Sequence, residues 1–314
     1  MERWYHVREP SRWWQRRRRA RTGTGDGNVT PGLFASVVEA FCHALGVLEL
    51  AVREPGFDRP GPEALTDDEA DRRLGQLAIY LPNGLYDGVR LSVAASGAFA
   101  DEMLRTGALH CSLEAEGRLV VSPDVESGLR IGCERASPEA VESVERLGLV
   151  ATDSNDPFAD IDLPVLPAAD DAYWRGVEVA AAVSGSRVPL VSSWAVNVEN
   201  WVLVDGANVG SVRAWLRPRS LVRVYEQPLV GPIGDRESVV QRACVLTAGP
   251  GPAVGLVLEA GTGRLRGFEM LDDEELPVWL SAGESASAIG VYLRDTSLTA
   301  VVPDEDGVVR ARWL

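Results

Sequence analysis

The chain has 314 residues, a formal net charge of −15, 46% hydrophobic and 25% charged residues, and four cysteines. That length suggests two domains, and the balance is that of a globular protein, which excludes a wholly disordered chain, a collagen-like repeat and a disulfide scaffold. The longest apolar runs, residues 45–52 and 179–183, fall far short of the roughly 18–20 residues of a bilayer-spanning helix.

Charge is unevenly spread along the chain. Residues 1–22 hold eight Arg and two Glu, a net of +6, which leaves 23 Arg against 44 acidic residues, a net of −21, in residues 23–314. A body of that charge repels nucleic acid and anionic lipid, so contact with a polyanion has to come from the first segment. All 31 basic residues are Arg, which is read as coding bias and carries no function.

In that first segment Trp4, Tyr5, Trp13 and Trp14 surround the run Arg16, Arg17, Arg18, Arg19 and Arg21. Indole faces beside guanidinium groups suit an acidic protein surface, nucleic-acid phosphates and bases, or an anionic lipid headgroup layer. Residues 1–27 are therefore read as a basic aromatic arm, with Trp4, Trp13, Trp14 and the five arginines as its partner-binding residues. A twin-arginine export signal needs an apolar segment next, whereas residues 22–30 are Gly-rich and polar. With no other signal sequence in view, the expected location is cytoplasmic.

From residue 30 the pattern becomes that of a folded domain. Thr30 suits an N-cap with Pro31 after it, and Phe34, Val37, Val38, Phe41, Leu45 and Leu48 recur at helical spacing, which predicts a helix ending near Val52. Residues 53–62 read as loop, and Thr66 with Glu69 forms a capping box opening a short helix to about Leu77. Residues 77–81 and 89–95 read as strands joined through Pro82-Asn83-Gly84, and 99–105 as a helix stopped by Gly107. A hairpin over 109–114 and 118–122 turns at Glu116-Gly117, a strand follows at 129–134, and Ser137-Pro138 opens a helix ending at Gly148. Residues 28–151 are thus expected to form a mixed α+β domain.

Residues 152–171 hold six Asp, Pro157, Pro164 and Pro167 and no basic residue, and read as an acidic linker. A calcium loop beginning at Asp153 would need Gly and a bidentate Glu where Phe158 and Pro164 stand. After a helix over 171–184, strands are expected at 188–192, 195–204, 211–216, 221–226, 242–247, 254–259, 264–270, 289–294, 298–302 and 308–313. Asp306-Gly307 is the strongest turn signal among them. This spacing predicts a mainly antiparallel β domain, sandwich or barrel-like, over 172–314, and the expected fold class is α+β.

Cys42, His43, His110, Cys111 and Cys133 offer soft thiolate and imidazole ligands of the kind zinc takes. They lack a Cys-x₂-Cys or His-x₃-His spacing, and adjacent residues diverge by about 100° on a helix. Buried cysteines behaving as small hydrophobes fit the pattern better, and no cofactor is expected.

Residues 201–209, Trp-Val-Leu-Val-Asp-Gly-Ala-Asn-Val, form the sharpest local string. It resembles the opening strand of NYN/PIN-like ribonucleases, in which an apolar strand ends in Asp-Gly-x-Asn-Val. The resemblance covers nine residues and implies Asp205 as a ligand of a divalent metal, Asn208 as its polar neighbour, a helix next, and further acidic residues at later strand ends. Glu259, Glu269 or Asp295 would have to fill that last role. The same residues make a good tight turn between two strands, which is the reading preferred from the residues alone.

Gly249-Pro-Gly251-Pro has neither the spacing nor the amide donors of a dinucleotide loop, and residues 272–275 are a solvated acidic turn. With no nucleophile elbow, Walker loop or zincin motif, the leading expectation is a non-catalytic structural or interaction component. Its arm engages an acidic partner or a neighbouring copy. The alternatives are a metal-dependent ribonuclease centred on Asp205 and a protein whose arm binds nucleic acid or anionic membrane.

Overall fold

The computed structural model describes residues 1–9, 31–58, 64–124, 128–157, 165–183, 188–225, 253–258, 265–271, 288–293, 296–311 and 313; for 253–258, 265–271, 288–293 and 296–297 it describes the backbone alone. The chain divides into two units. One comprises Met1–Asp58, Asp71–Pro164 and Arg312–Leu314, the other Arg59–Ala70 and Val165–Ala311. Each is built on a seven-stranded antiparallel sheet, and the fold class is α+β. Among the described residues no helix is long and apolar enough to cross a membrane.

In chain order the first unit carries β1 (Arg3–Arg8), α1 (Leu33–Leu45), β2 (Glu49–Phe57), β3 (Arg90–Ser92), α3 (Val93–Thr106), β4 (Leu109–Ala115), β5 (Leu119–Asp124), β6 (Gly128–Cys133), α4 (Pro138–Arg146) and β7 (Val150–Ser154). Helix α2 (Asp67–Leu74) and a 3₁₀ turn (Gly75–Tyr80) precede β3. The sheet order is β3-β2-β4-β5-β6-β1-β7. Strand alternation explains it: Tyr5, Ile131, Val121, Leu113 and Val52 face one another in successive registers on one side. That side meets the helices, for Tyr5 packs on Phe41 of α1 at 5.6 Å, and Met103 of α3 accepts the Cys111 amide. Val37, Val38, Phe41 and Leu45 form the buried stripe of α1. At about 2 kcal/mol for each large apolar side chain fully buried, that stripe holds the helix more than its intrinsic propensity does.

The second unit carries α5 (Asp171–Val183), β8 (Val188–Ser193), β9 (Asn200–Val204), α6 (Val209–Trp215), β10 (Leu221–Tyr225), β11 (Ala253–Leu258), β12 (Leu265–Leu271), β13 (Ala288–Leu293) and β14 (Thr296–Val301), in sheet order β13-β11-β12-β9-β8-β10-β14. Helix α5 buries Tyr173, Trp174, Val177 and Ala181 with Leu190, Val222, Val224 and Ala300 of the sheet.

Local signals hold where they are strongest. Glu69 accepts from the Thr66 amide and hydroxyl at 2.8 and 2.9 Å, the expected capping box. Gly107 and Gly117 take the left-handed backbone at φ 66 and φ 70, at the end of α3 and in the β4–β5 hairpin.

Elsewhere the structure corrects the sequence. The first helix stops at Leu45 because Gly46, at φ 64, donates back to the Cys42 and His43 carbonyls. Residues 49–57, read as helix end and loop, are β2. The expected strand 77–81 lies mostly in the 3₁₀ turn, and Ser92 ends β3 by capping α3 through the Ala95 amide at 3.3 Å. Residues 195–199 turn before β9, residues 211–216 lie mostly in α6, and residues 308–311 form no strand. The turn at Asp306-Gly307 does form, with the Gly307 amide donating to Asp304 O at 2.8 Å. The strand expected at 242–247 lies outside the described residues, and the cap expected at Thr30 falls instead at Gly32, so Pro31 stands before the helix.

Candidate functional site

The basic segment is the most unusual charge feature of the chain, and the structure defines what brackets it. Residues 3–8 are not arm but strand: β1 lies between β6 and β7, with Trp4 opposite Gly132 and Ser154. Trp4 is 5% exposed, which corrects its placement among the partner-binding residues. The strand signal lies in Tyr5 and Val7, two positions apart on the apolar face, while Trp4 shares the other face with His6. A Cβ on Gly132 would lie 2.7–2.8 Å from the indole ring, so glycine there clears the space Trp4 fills. Trp13, Trp14, Arg16, Arg17, Arg18, Arg19 and Arg21 lie outside the described residues.

The far end of the segment is fixed as well. Gly32, at φ 82, occupies the N-cap of α1 and has no side chain to cap with. The carboxylate of Asp101, from α3, supplies the cap and accepts from the amides of Gly32, Phe34 and Ala35, the last two at 2.9 and 3.1 Å. Burial pushes the Asp101 carboxyl up, against the pull of those three donors.

The sheet side opposite the helices is polar at the root of the segment. His6, Arg130 and Ser122 share one register row. Asp124 crosses β6 to reach both side chains: its Oδ2 lies 3.0 Å from His6 Nε2 and its Oδ1 accepts from Arg130 Nε at 3.0 Å. Gly128 makes the crossing possible, since a Cβ there would stand 2.5 Å from Val7 O and 3.1 Å from His6 Nε2.

On the same side, β2 bulges between Arg53 and Gly56, with Glu54 left-handed at φ 51. Bulges and left-handed non-glycine residues are conspicuous because both need surrounding structure to hold them. Asp87 provides it, taking Arg53 Nη1 at 3.0 Å and the Glu54 amide at 2.8 Å, with Glu114 3.9 Å from Arg53 Nε. His110 lies against Gly56, and burial lowers its pKa while Asp58 opposes. Sequence reading missed Asp87, Asp101 and Asp124, because each acts on residues remote in the chain.

The cysteine and histidine residues do not assemble. Cys42, Cys111 and Cys133 are buried free thiols, His43 is exposed and His110 half-buried. Burial pushes the Cys42 and Cys133 thiols up to about 12 and Cys111 higher still; Glu39 and the neighbouring Cys133 add to it at Cys42, Asp87 adds to it at Cys111, and at Cys133 a hydrogen bond with Ser137 opposes it while Glu134 adds to it. Buried thiols held in the protonated form are weak nucleophiles at neutral pH. Among the described residues no three His, Cys, Asp or Glu side chains gather around a possible metal position.

Asp205 and Asn208 bind each other. The Asp205 amide donates to Asn208 Oδ1 at 2.9 Å, while Asp205 Oδ1 accepts from the Ala207 and Asn208 amides at 2.9 and 3.0 Å. Asn208 Nδ2 also donates to Leu203 O. This reciprocal turn leads from β9 into α6, so the strand expected next is a helix, as the ribonuclease resemblance implies. The carboxylate is used at least in part to hold the turn, and the described residues do not supply a ligand set for a cation beside it. Glu259 and Asp295 lie outside the described residues, as does the side chain of Glu269. Comparison with protein-family models, curated proteins and solved structures finds no match for this chain.

Proposed function

We propose that the protein is a non-catalytic structural or interaction component that engages an acidic partner, or a neighbouring copy of itself, through the Trp- and Arg-rich segment after β1. The observation supporting this reading is the bracketing of that segment. Residues 10–30 carry six Arg and one Asp, and they run from a strand paired on both sides to a helix capped from a distance by Asp101. A segment whose two flanks are held in the fold loses less entropy on docking than a free tail, and its charge is opposite to that of an acidic partner.

The test replaces Arg16, Arg17, Arg18, Arg19 and Arg21 with Gln in the full chain. Mass in solution is then measured at low and high salt, with and without an acidic protein. Salt-sensitive association that the variant loses supports the proposal; association unchanged by the five substitutions overturns it. Steeply salt-dependent binding to single-stranded RNA or to anionic vesicles, with no protein association, would replace the proposal with the nucleic-acid or membrane reading.

A second reading, a metal-dependent ribonuclease centred on Asp205, is favoured by one observation, the helix that follows Asp205. Manganese-dependent cleavage of single-stranded RNA that Asp205→Asn abolishes, in a variant with unchanged melting temperature, would establish it. The absence of such cleavage by the intact chain would sink it.

A further inference from the structure

Residues 64–69 stand more than a hundred positions before β8 yet belong to the same unit as β8, β9 and β10. Leu65 forms a parallel bridge to Val198: its amide donates to Asn197 O at 2.8 Å and its carbonyl accepts from the Glu199 amide at 2.9 Å. The Leu65 side chain is 5% exposed. Two positions on, the Asp67 carboxylate accepts from Trp194 Nε1, and the Arg217 guanidinium lies over the Trp194 ring, 4.1 Å from its centroid. The Thr66–Glu69 capping box starts α2 immediately behind this contact.

We infer that residues 64–69 are a strap: laid along residues 197–199 and pinned by Asp67 to Trp194, they hold the turn between β8 and β9 and thereby position Glu199. Residues 195–199 read as strand in sequence but turn, with Asn197 left-handed at φ 65. A turn of that kind needs partners for its backbone, and the strap supplies one acceptor and one donor. Glu199 in turn takes Arg223 Nη2 at 2.7 Å and Trp201 Nε1 at 2.8 Å, and Trp201 stacks on Tyr225 with centroids 5.4 Å apart. The strap thus completes a polar and aromatic cluster on the sheet side away from α5. It rests on observations separate from the basic segment.

Amide hydrogen exchange on the full chain tests it. Leu65→Asp places a charge where a buried leucine sits and is expected to speed exchange in residues 188–204 about tenfold, leaving residues 109–133 unchanged, because opening is local to the strapped unit. Equal acceleration in both regions, or none in 188–204, overturns the inference. Should that variant fail to fold, Trp194→Phe keeps the ring and removes the donor to Asp67. It is expected to speed exchange in 194–199 about threefold, and wild-type rates there overturn the strap.

Discussion

The two sheets solve the same problem on one side and different problems on the other. Each turns an apolar face toward helices, α1 and α3 in the first unit and α5 in the second. The first sheet fills its other side with polar contacts, Asp124 with Arg130 and His6, and Asp87, from the turn before β3, with Arg53. Among the described residues of the second, Glu199 pairs with Arg223 on that side, beside Trp201 and Tyr225. The difference teaches where each sheet is vulnerable. A buried ion pair contributes little net stability when intact and costs much when half of it is removed, and the cost is smaller where the orphaned partner reaches water.

The largest effect should come from breaking a pair on the first sheet. Asp87 is 2% exposed and holds both Arg53 and the strained Glu54 amide, so Asp87→Ala is expected to cost about 3–5 kcal/mol. Glu199→Ala removes the equivalent carboxylate of the second sheet, where Arg223 is more open to water, and should cost about 2 kcal/mol. Urea unfolding of both variants checks the order; equal costs would mean that the greater exposure of Arg223 makes no difference.

Glycine substitutions sharpen the contrast at the next scale down. Gly128→Ala drives a methyl group to within 2.5 Å of Val7 O, and overpacking of that kind is expected to cost about 2 kcal/mol. Gly176 lies inside α5, where a Cβ would meet Leu298 at an ordinary 3.4 Å. Gly176→Ala should therefore raise stability by about 0.5–1 kcal/mol, because alanine loses less backbone freedom in a helix. Opposite shifts in melting temperature are the expected result, and shifts of one sign would break the comparison. Asp101→Ala comes between these in size, at about 1–2 kcal/mol, since it leaves the first amides of α1 without their acceptor.

The first sheet is also the more legible in sequence, for a physical reason. One of its faces is apolar and the other polar, so β4, β5 and β6 alternate visibly, and glycines at left-handed positions mark their turns. In the second unit β8 is buried on both faces throughout, which erases the alternation. Helix α6 reads as a strand in sequence because Val212, Ala214 and Leu216 fit a period of two while Val209, Val212 and Trp215 fit the helical one, and the reciprocal Asp205–Asn208 turn that decides between them is a geometric fact. The basic segment is visible in charge alone. Its two fixed ends are not, because one is a strand completed by residues 128–133 and 150–154, and the other is a helix cap donated by residue 101.

The smallest effect should appear in the exposed counterpart of those buried pairs, the turn at residues 304–310. Arg310 reaches both Asp306 oxygens at 2.8 and 2.6 Å and Asp304 Oδ2 at 2.8 Å, while Arg219 takes Asp304 Oδ1 at 2.7 Å. The side-chain bond from Arg310, then the amide of Val308, holds Asp306 at about 2. Partial burial would raise Asp304, but Arg219 and Arg310 keep it below the usual carboxylate range. A carboxylate depressed in the folded state adds order above the unfolded value of about 4, and that order is lost as pH falls toward the folded value. The Gly307 amide resonance, whose donor bond to Asp304 closes the turn, should titrate well below pH 4 in the intact chain. In Arg310→Ala its midpoint should return toward the ordinary carboxylate range, with the global melting temperature almost unchanged because exposed pairs contribute little. A midpoint near 4 before the substitution would show that the guanidinium does not hold these carboxylates. The exposed turn would then differ from the buried pairs in kind, not only in size.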